Sequence, residues 1–404
     1  MRMEKAITKK IKNNGIPEGW GLKELGSLGR VVTGKTPPTE DLNSFGKDGY
    51  PFITPRDMHG QKYIRTAERY LTEKGKDVVR NCLLPANSVC VSCIGSDMGK
   101  VVMTDRPSIT NQQLNSLICQ HADPHFVYYG IVNISKRLRD AAFHSTAVPI
   151  LNKSDFSRFE IFVPQEDIEQ HAIAKILSDL DAKIELNHQM NKTLESIAQA
   201  IFKQWFVDFV ENGLPSGWEL GNLGDIAESK KQAIQPNAIK SSMSYIGLEH
   251  LPRKSIALSD WEEAIDLGSN KFRFSRGDIL FGKLRPYFHK VGVAPTNGVC
   301  STDILVVVPR KPEWFGLVLG HVSSDSFVNY TTNTSTGTRM PRTSWQDMAL
   351  YEIALPPETT AAKFTAQVNP LIERMIFNIH ESRILTNIRD SLLPRLMSGK
   401  IRTI

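Results

Sequence analysis

The sequence predicts an α+β fold: two tandem mixed α/β domains, mostly β, each followed by a long helix, with the two helices pairing. Three observations carry this reading: an internal repeat, closely punctuated strand patterns in each copy, and a heptad pattern closing each copy. The repeat is anchored at both ends. "GIPEGWGLKELG" from Gly15 returns as "GLPSGWELGNLG" from Gly213, which pairs Trp20 with Trp218. "STAVPILNKSDFSRFEIFVP" (145–164) aligns without gaps on "GTRMPRTSWQDMALYEIALP" (337–356), setting Pro149 on Pro341, Asp155 on Asp347 and Pro164 on Pro356. Between the anchors, "ITNQQLNSLIC" from Ile109 falls opposite "VCSTDILVVVP" from Val299, with apolar positions kept and polar chemistry changed. The seams divide the chain into a first domain (15–164), a central helical segment (165–210), a second domain (211–356) and a C-terminal helical segment (357–404).

Inside the domains, "NSVCVSCIG" alternates as a half-buried strand does, "ILVVVP" is a buried run, and "FRFSRGDILFGKL" reads as strand, turn, strand. Glycine, proline and asparagine punctuate them closely, so prominent loops are expected.

Residues 166–206 contain no Gly or Pro, and apolar residues recur there at heptad spacing. Leu177, Leu180, Ile184 and Leu194 fall on one seam, and Asn187 and Asn191 occupy its two remaining positions. A buried asparagine costs stability but fixes register. The second copy carries Ile372, Ile379, Ile388 and Leu392, with Pro370 and Pro394 making it less regular. A helix of this size is about 60 Å long, more than a compact domain is wide, so the two helices are expected to pair with each other.

Composition is that of an ordinary globular protein: 404 residues, 41% hydrophobic, 23% charged, net charge +6 and pI near 8.9. The basic balance suits a polyanionic partner without demanding one. No run approaches bilayer length and the first residues lack a signal peptide's apolar core, so a cytoplasmic protein without a membrane partner is expected. Five cysteines give no disulfide framework, and the Cys90/Cys93 pair lacks the second pair that a structural zinc requires, so no metal site is expected. His121 and His125 are separated by Pro124, which keeps them off a common helix face.

"GRVVTGKTPP" (29–38) satisfies the letters of a phosphate-binding loop. Such a loop must run directly into a helix, and Pro37 and Pro38 prevent that. Asp181-Ala182-Lys183 has half of a nuclease signature but lies within the heptad helix, and the chain has no Pro-Asp dipeptide to complete it. Nor does it have an Asn-Pro-Pro-Tyr or Asp-Pro-Pro-Tyr tetrapeptide for adenine methylation. No catalytic residue is expected.

Taken together, the chain resembles the DNA-specificity (S) subunits of type I restriction–modification systems. "TGKTPP" followed by "YPFITPRDM" (50–58) is similar to the start of that family's target recognition domains, and "STAVPILNKSDF" to the segment that closes them. "QAIFKQWFVDF" and "SLLPRLMSGKI" close the two helices in the family's manner. The second half departs at its start, where "SYIGLEHL" (244–251) stands in place of "PFITPRDM" and no Gly-Thr-Pro turn precedes it. The resemblance implies two recognition domains reading a bipartite, asymmetric double-stranded DNA target, spaced by an antiparallel coiled coil. It implies two methyltransferase (M) subunits and motor–nuclease (R) subunits as partners. S-adenosylmethionine, ATP and Mg would bind those partners, and this chain would bind none of them.

Contacts to bases or phosphates are then expected from Lys35, Arg56, Lys100, Asn111, Gln112 and Gln113 in the first domain. The second domain offers Lys283, Arg285, Lys290, Arg339 and Arg342. Arginine suits guanine and amide side chains suit adenine. Two other readings fit parts of the pattern: a duplicated protein-binding scaffold without DNA specificity, and a self-contained nuclease or methyltransferase.

Overall fold

The computed structural model describes residues 16–38, 43–142, 150–208, 213–337 and 339–403, so the repeat anchor Pro149 lies outside the described residues. Two units form, one within Met1–Lys183 and Leu385–Ile404 and the other within Ile184–Ile384. Each takes one β-rich domain and part of each long helix.

In the first unit the Trp20–Glu24 strand pairs antiparallel with Glu160–Pro164, setting Trp20 opposite Pro164, so the domain is tied together at its own ends. The main sheet runs Gly29–Thr33, Leu114–Cys119, Val89–Ser92, Val101–Thr104, Tyr63–Ile64. Val89–Ser92 is buried at every position, not at alternate ones. Val89 and Val91 face a core built with Phe126, Tyr129 and Leu138, and Cys90 faces a second core with Ile53, Ile64 and Leu84, so both faces of the strand are covered. Burial pushes the Cys90 thiol up to about 12 and that of Cys93 to about 11, as expected for apolar fillers. Phe52 and Ile53 pair in parallel with Ile109 and Thr110 in a neighbouring sheet.

The second unit repeats this plan. Glu219–Asn222 pairs with Glu352–Leu355. The main sheet runs Ala227–Ser229, Ile304–Pro309, Ile279–Gly282, Val291–Val293. Tyr245 and Ile246 pair in parallel with Val299 and Cys300, as Phe52 and Ile53 do with Ile109 and Thr110. The strand, turn, strand pattern expected for 272–284 is present: Lys271–Phe274 and Ile279–Gly282 are strands joined by a turn, and each belongs to a different sheet.

The long helices are Asp167–Phe206 and Glu358–Met397, 40 residues each. Pro370 and Pro394 lie inside the second without ending it, and both are exposed. In the first unit Ile173 and Leu177 share a core with Leu393, Leu396 and Met397. Asp181, half of the supposed nuclease signature, accepts from Arg389 Nη1 (2.7 Å) and Tyr129 Oη (2.5 Å). Glu169 receives the fork of Arg402 and the indole N–H of Trp20 (3.2 Å).

In the second unit Asn187 donates to Glu381 (2.8 Å) and Ser382 (3.2 Å), and Asn191 donates to the carbonyl of Met375 (3.4 Å). Ascending one helix descends the other, so the segments run in opposite directions there. Leu194 packs against the core that contains Ile372, and Ile379 is buried. Leu180, Ile184 and Leu392 are half-buried. Ile388, expected on the seam, is 41% exposed, and Leu393 is buried in its place at the C-terminal end. Glycines allow the closest approaches. A Cβ on Gly320 would lie 2.1 Å from the Phe202 ring, and one on Gly316 2.9 Å from Phe364. Among the described residues no helix is long and apolar enough to cross a membrane.

Candidate nucleic-acid interface

In the first unit the pairing registers bring four chain segments to one edge of the main sheet. Gly29–Thr33 ends there, Leu114–Cys119 begins, and Val89–Ser92 leads out into the loop that returns at Val101. The Tyr50–Ile53 strand delivers "TPRD" beside them, because Asn111 N–H donates to the Ile53 carbonyl (3.0 Å). Lys35, Arg56, Lys100 and the Asn111–Gln113 loop therefore emerge together.

Each conspicuous letter of the motifs has a local reason. Gly34 is required by proximity: a Cβ there would lie 2.1 Å from the Asn111 carbonyl and 2.3 Å from that of Thr110. Lys35 N–H donates to Thr110 O (3.0 Å) and Thr36 Oγ1 to Gln112 Oε1 (2.7 Å), locking the turn to the amide loop. Among the described residues no helix follows Thr36 directly: Pro37 and Pro38 are not helical. In Thr54-Pro55-Arg56-Asp57 the buried Asp57 carboxylate accepts from Thr54 N–H, Thr54 Oγ1 and Glu68 N–H, each at 2.8 Å. Thr, Pro and Asp build the turn, and Arg56 is the exposed residue it presents.

The candidates differ in availability. Lys35, Arg56 and Gln112 are exposed. Lys100 is half-buried and paired with Asp97 (2.8 Å). Asn111 is 9% exposed; its amide donates to Gln113 Oε1 (2.8 Å) and its Oδ1 accepts from Gln113 N–H (3.1 Å). It shapes the loop rather than facing out of it.

The second unit builds an equivalent edge with different chemistry. Asn111 N–H to Ile53 O becomes Ser301 N–H to Ile246 O (3.0 Å), and Cys93 N–H to Gln113 O becomes Lys283 N–H to Asp303 O (3.0 Å). Gln113 thus corresponds to Asp303, whose carboxylate accepts from Arg342 Nε (3.2 Å). By the same register Asp57 corresponds to His250, a buried ring whose Nδ1 accepts from Gly247 N–H (2.9 Å), and Arg56 to the exposed Glu249. The missing "PRD" motif is a re-made turn with its outward charge reversed, which a motif search on the sequence could not find.

Residues 283–290 connect Ile279–Gly282 to Val291–Val293. Leu284 bridges to Arg342, and Arg285 Nη2 donates to Arg339 O (3.4 Å), so Lys283, Arg285, Arg339 and Arg342 gather at this edge. Lys290 is different. Its ammonium donates to the Leu248 carbonyl, and burial, aided by Arg253 and opposed by Glu249, pulls its pKa below the ordinary lysine value. Sequence reasoning also passed over Arg253, whose guanidinium lies 4.2 Å from the Phe288 ring centre. Among the described residues no cluster of three or more His, Cys, Asp or Glu side chains is placed to hold a metal.

Comparisons with known proteins show what the chain as a whole is similar to. Residues 17–196 match the family described as the type I restriction modification DNA specificity domain. The chain is 29% identical to the MjaIX type I restriction enzyme specificity subunit of Methanocaldococcus jannaschii, over 96% of this chain and 94% of that protein. It is 37% identical to the HindI specificity subunit of Haemophilus influenzae, over 45% of this chain and 40% of that one. Among solved structures it is similar to the type I restriction–modification S subunit from M. genitalium, with a TM-score of 0.61 and 17% identity over 95% of this chain and 97% of that chain. Two repeated loop edges of unlike chemistry, a relative matched over nearly its whole length and a shared fold lead to one conclusion: residues 17–196 carry a type I restriction modification DNA specificity domain, and the chain as a whole is similar to the specificity subunits of type I restriction enzymes.

Proposed function

We propose that each unit reads one half of a bipartite, asymmetric double-stranded DNA target through its loop edge. The observation that carries this is the pairing of equivalent backbone frames with unlike side chains: Asn111, Gln112 and Gln113 against Ser301, Thr302 and Asp303, and Arg56 against Glu249. Shared frames give a shared docking mode, and unlike side chains give unlike readout. Lys35, Arg56 and Gln112 in one unit and Lys283, Arg285, Arg339 and Arg342 in the other are the contact residues. Asn111, Lys100 and Lys290 hold the frames.

The two long helices act as an antiparallel coiled coil that sets the distance between half-sites. They dock two methyltransferase subunits, and motor–nuclease subunits complete the assembly in the cytoplasm. S-adenosylmethionine, ATP and Mg serve those partners. The relatives' names support this reading, and so do the opposed helix segments of the second unit.

Binding of the isolated chain to its target against salt concentration tests the reading. Neutralising roughly six phosphates gives a log–log slope of about −5. A slope near zero would favour a protein scaffold instead.

A further inference from the structure

The second unit's 283–290 loop is held in a backbone conformation that its residues do not favour. Arg285 (φ 52°, ψ 63°) and His289 (φ 50°, ψ 57°) are both left-handed. The equivalent loop of the first unit places glycines at the same two points, Gly95 (φ 81°) and Gly99 (φ 85°). For non-glycine residues this conformation is unfavourable by roughly 1 kcal/mol each. The second unit has kept the shape while giving up the residue that makes it easy.

The surroundings hold the strained shape in place. Arg285 N–H donates to Pro341 O (2.7 Å), Phe288 N–H to Arg285 O (2.9 Å) and His289 N–H to Pro286 O (2.8 Å). The His289 ring is buried, with Nε2 2.9 Å from the Ser323 carbonyl and Nδ1 3.2 Å from Asp325. Pro286 is buried and Phe288 is covered by Arg253.

Tyr287 is the residue this frame displays. It is 50% exposed, it rests edge-on against Phe288 (centroids 4.8 Å apart, planes at 64°), and among the described residues its hydroxyl has no hydrogen-bond partner. Lys283, Arg285, Arg339 and Arg342 emerge at the same edge and suit phosphates. The hydroxyl can donate to a phosphate as other polar side chains do, whereas the ring itself, held on a rigid tip, offers a flat apolar surface that suits a nucleobase. Such a surface fits the edge of a base, such as a thymine methyl group, or an unstacked step.

We propose that Tyr287 is a specificity-determining residue of the second half-site, its ring packing against a nucleobase. This rests on the proposal that the chain reads DNA. The test uses the full chain with its methyltransferase partner, mapping methylated adenines genome-wide for the parent, Tyr287→Ala and Tyr287→Phe. Salt-dependent binding and melting temperature are measured on the same proteins. Tyr287→Ala is expected to relax discrimination about tenfold at one position of the second half-site. The first half-site, the salt slope and the melting temperature are expected to stay unchanged, and Tyr287→Phe to retain the parent's discrimination. Unchanged discrimination in Tyr287→Ala would overturn the proposal, and so would relaxation of both half-sites. A loss of affinity in Tyr287→Phe as large as that in Tyr287→Ala would make Tyr287 a phosphate contact through its hydroxyl, and a lowered melting temperature would make its role structural; either overturns it. A parent chain without any sequence preference would instead overturn the DNA-reading proposal, and this one with it.

Discussion

Asn378 donates from its side-chain amide to Oδ1 of Asn191 at 2.9 Å, and both residues are buried. The bond joins the two long helices inside the second unit. It works with Asn187, which reaches Glu381 and Ser382, to make this stretch of the seam polar. Leucine–leucine packing tolerates sliding, whereas a buried amide pair is satisfied in one register only.

Replacing Asn191 or Asn378 singly with leucine leaves the other amide buried without its partner, at about 1–3 kcal/mol each. The double variant removes both polar groups, so its loss is expected to be smaller than the sum of the singles. A double-mutant cycle by chemical denaturation checks this, and additive losses would show that the amides act independently.

Gly34→Ala is expected to damage the first recognition edge and leave the second intact. The added methyl group would collide with the carbonyls of Thr110 and Asn111, so either the Gly34 turn or the amide loop must move. A cost of about 1–3 kcal/mol follows from overpacking. Methylome mapping should show blurred readout of the first half-site alone.

His321 makes the second unit acid-sensitive. Its ring is buried between Phe202 (centroids 5.0 Å apart) and Tyr351 (6.1 Å), and burial pulls its pKa from 6.5 down to about 4. Unfolded chains take up the proton near 6.5 while the folded chain resists until about 4, so stability drains as pH falls through that window and is unaffected above it. Full loss is on the order of 3 kcal/mol. Denaturation of the parent and His321→Leu across this range should give the parent the steeper fall, and parallel curves would exclude the effect.

The sequence repeats foretold more of the fold than of the interface. The repeat marks Trp20 and Pro164 as the ends of one module, and the structure sets them opposite each other in a strand pair, a contact that matching the two copies does not specify because it compares the copies and not the ends of one. Val89–Ser92 looks half-buried in the sequence because Val alternates with Cys or Ser, yet small polar and thiol groups pack well on a covered face. Asn378 was missed because it lies next to Ile379, whose heptad register drew the seam one residue away. The match of Asp57 to His250 was invisible because a carboxylate and an imidazole nitrogen accept the same N–H with no letters in common. Candidate lists by residue type could not separate Lys35, which is exposed, from Lys290, whose ammonium is bound to a carbonyl.

The central claim is that two independent readers are held apart by a helical ruler, and matched four-residue insertions test it most directly. One goes after Lys183 and one after Ile384, so that the Asp181–Arg389 and Asn191–Asn378 contacts each keep their register. Four residues add about 6 Å, close to two base pairs of rise, and turn a domain by about 40° where two base pairs turn by roughly 70°. The measurement is methylome mapping of this variant beside the parent. The account predicts the same two half-sites with the unspecified gap lengthened by one or two base pairs. An unchanged gap with retained methylation, or a parent motif that is continuous rather than bipartite, would contradict it.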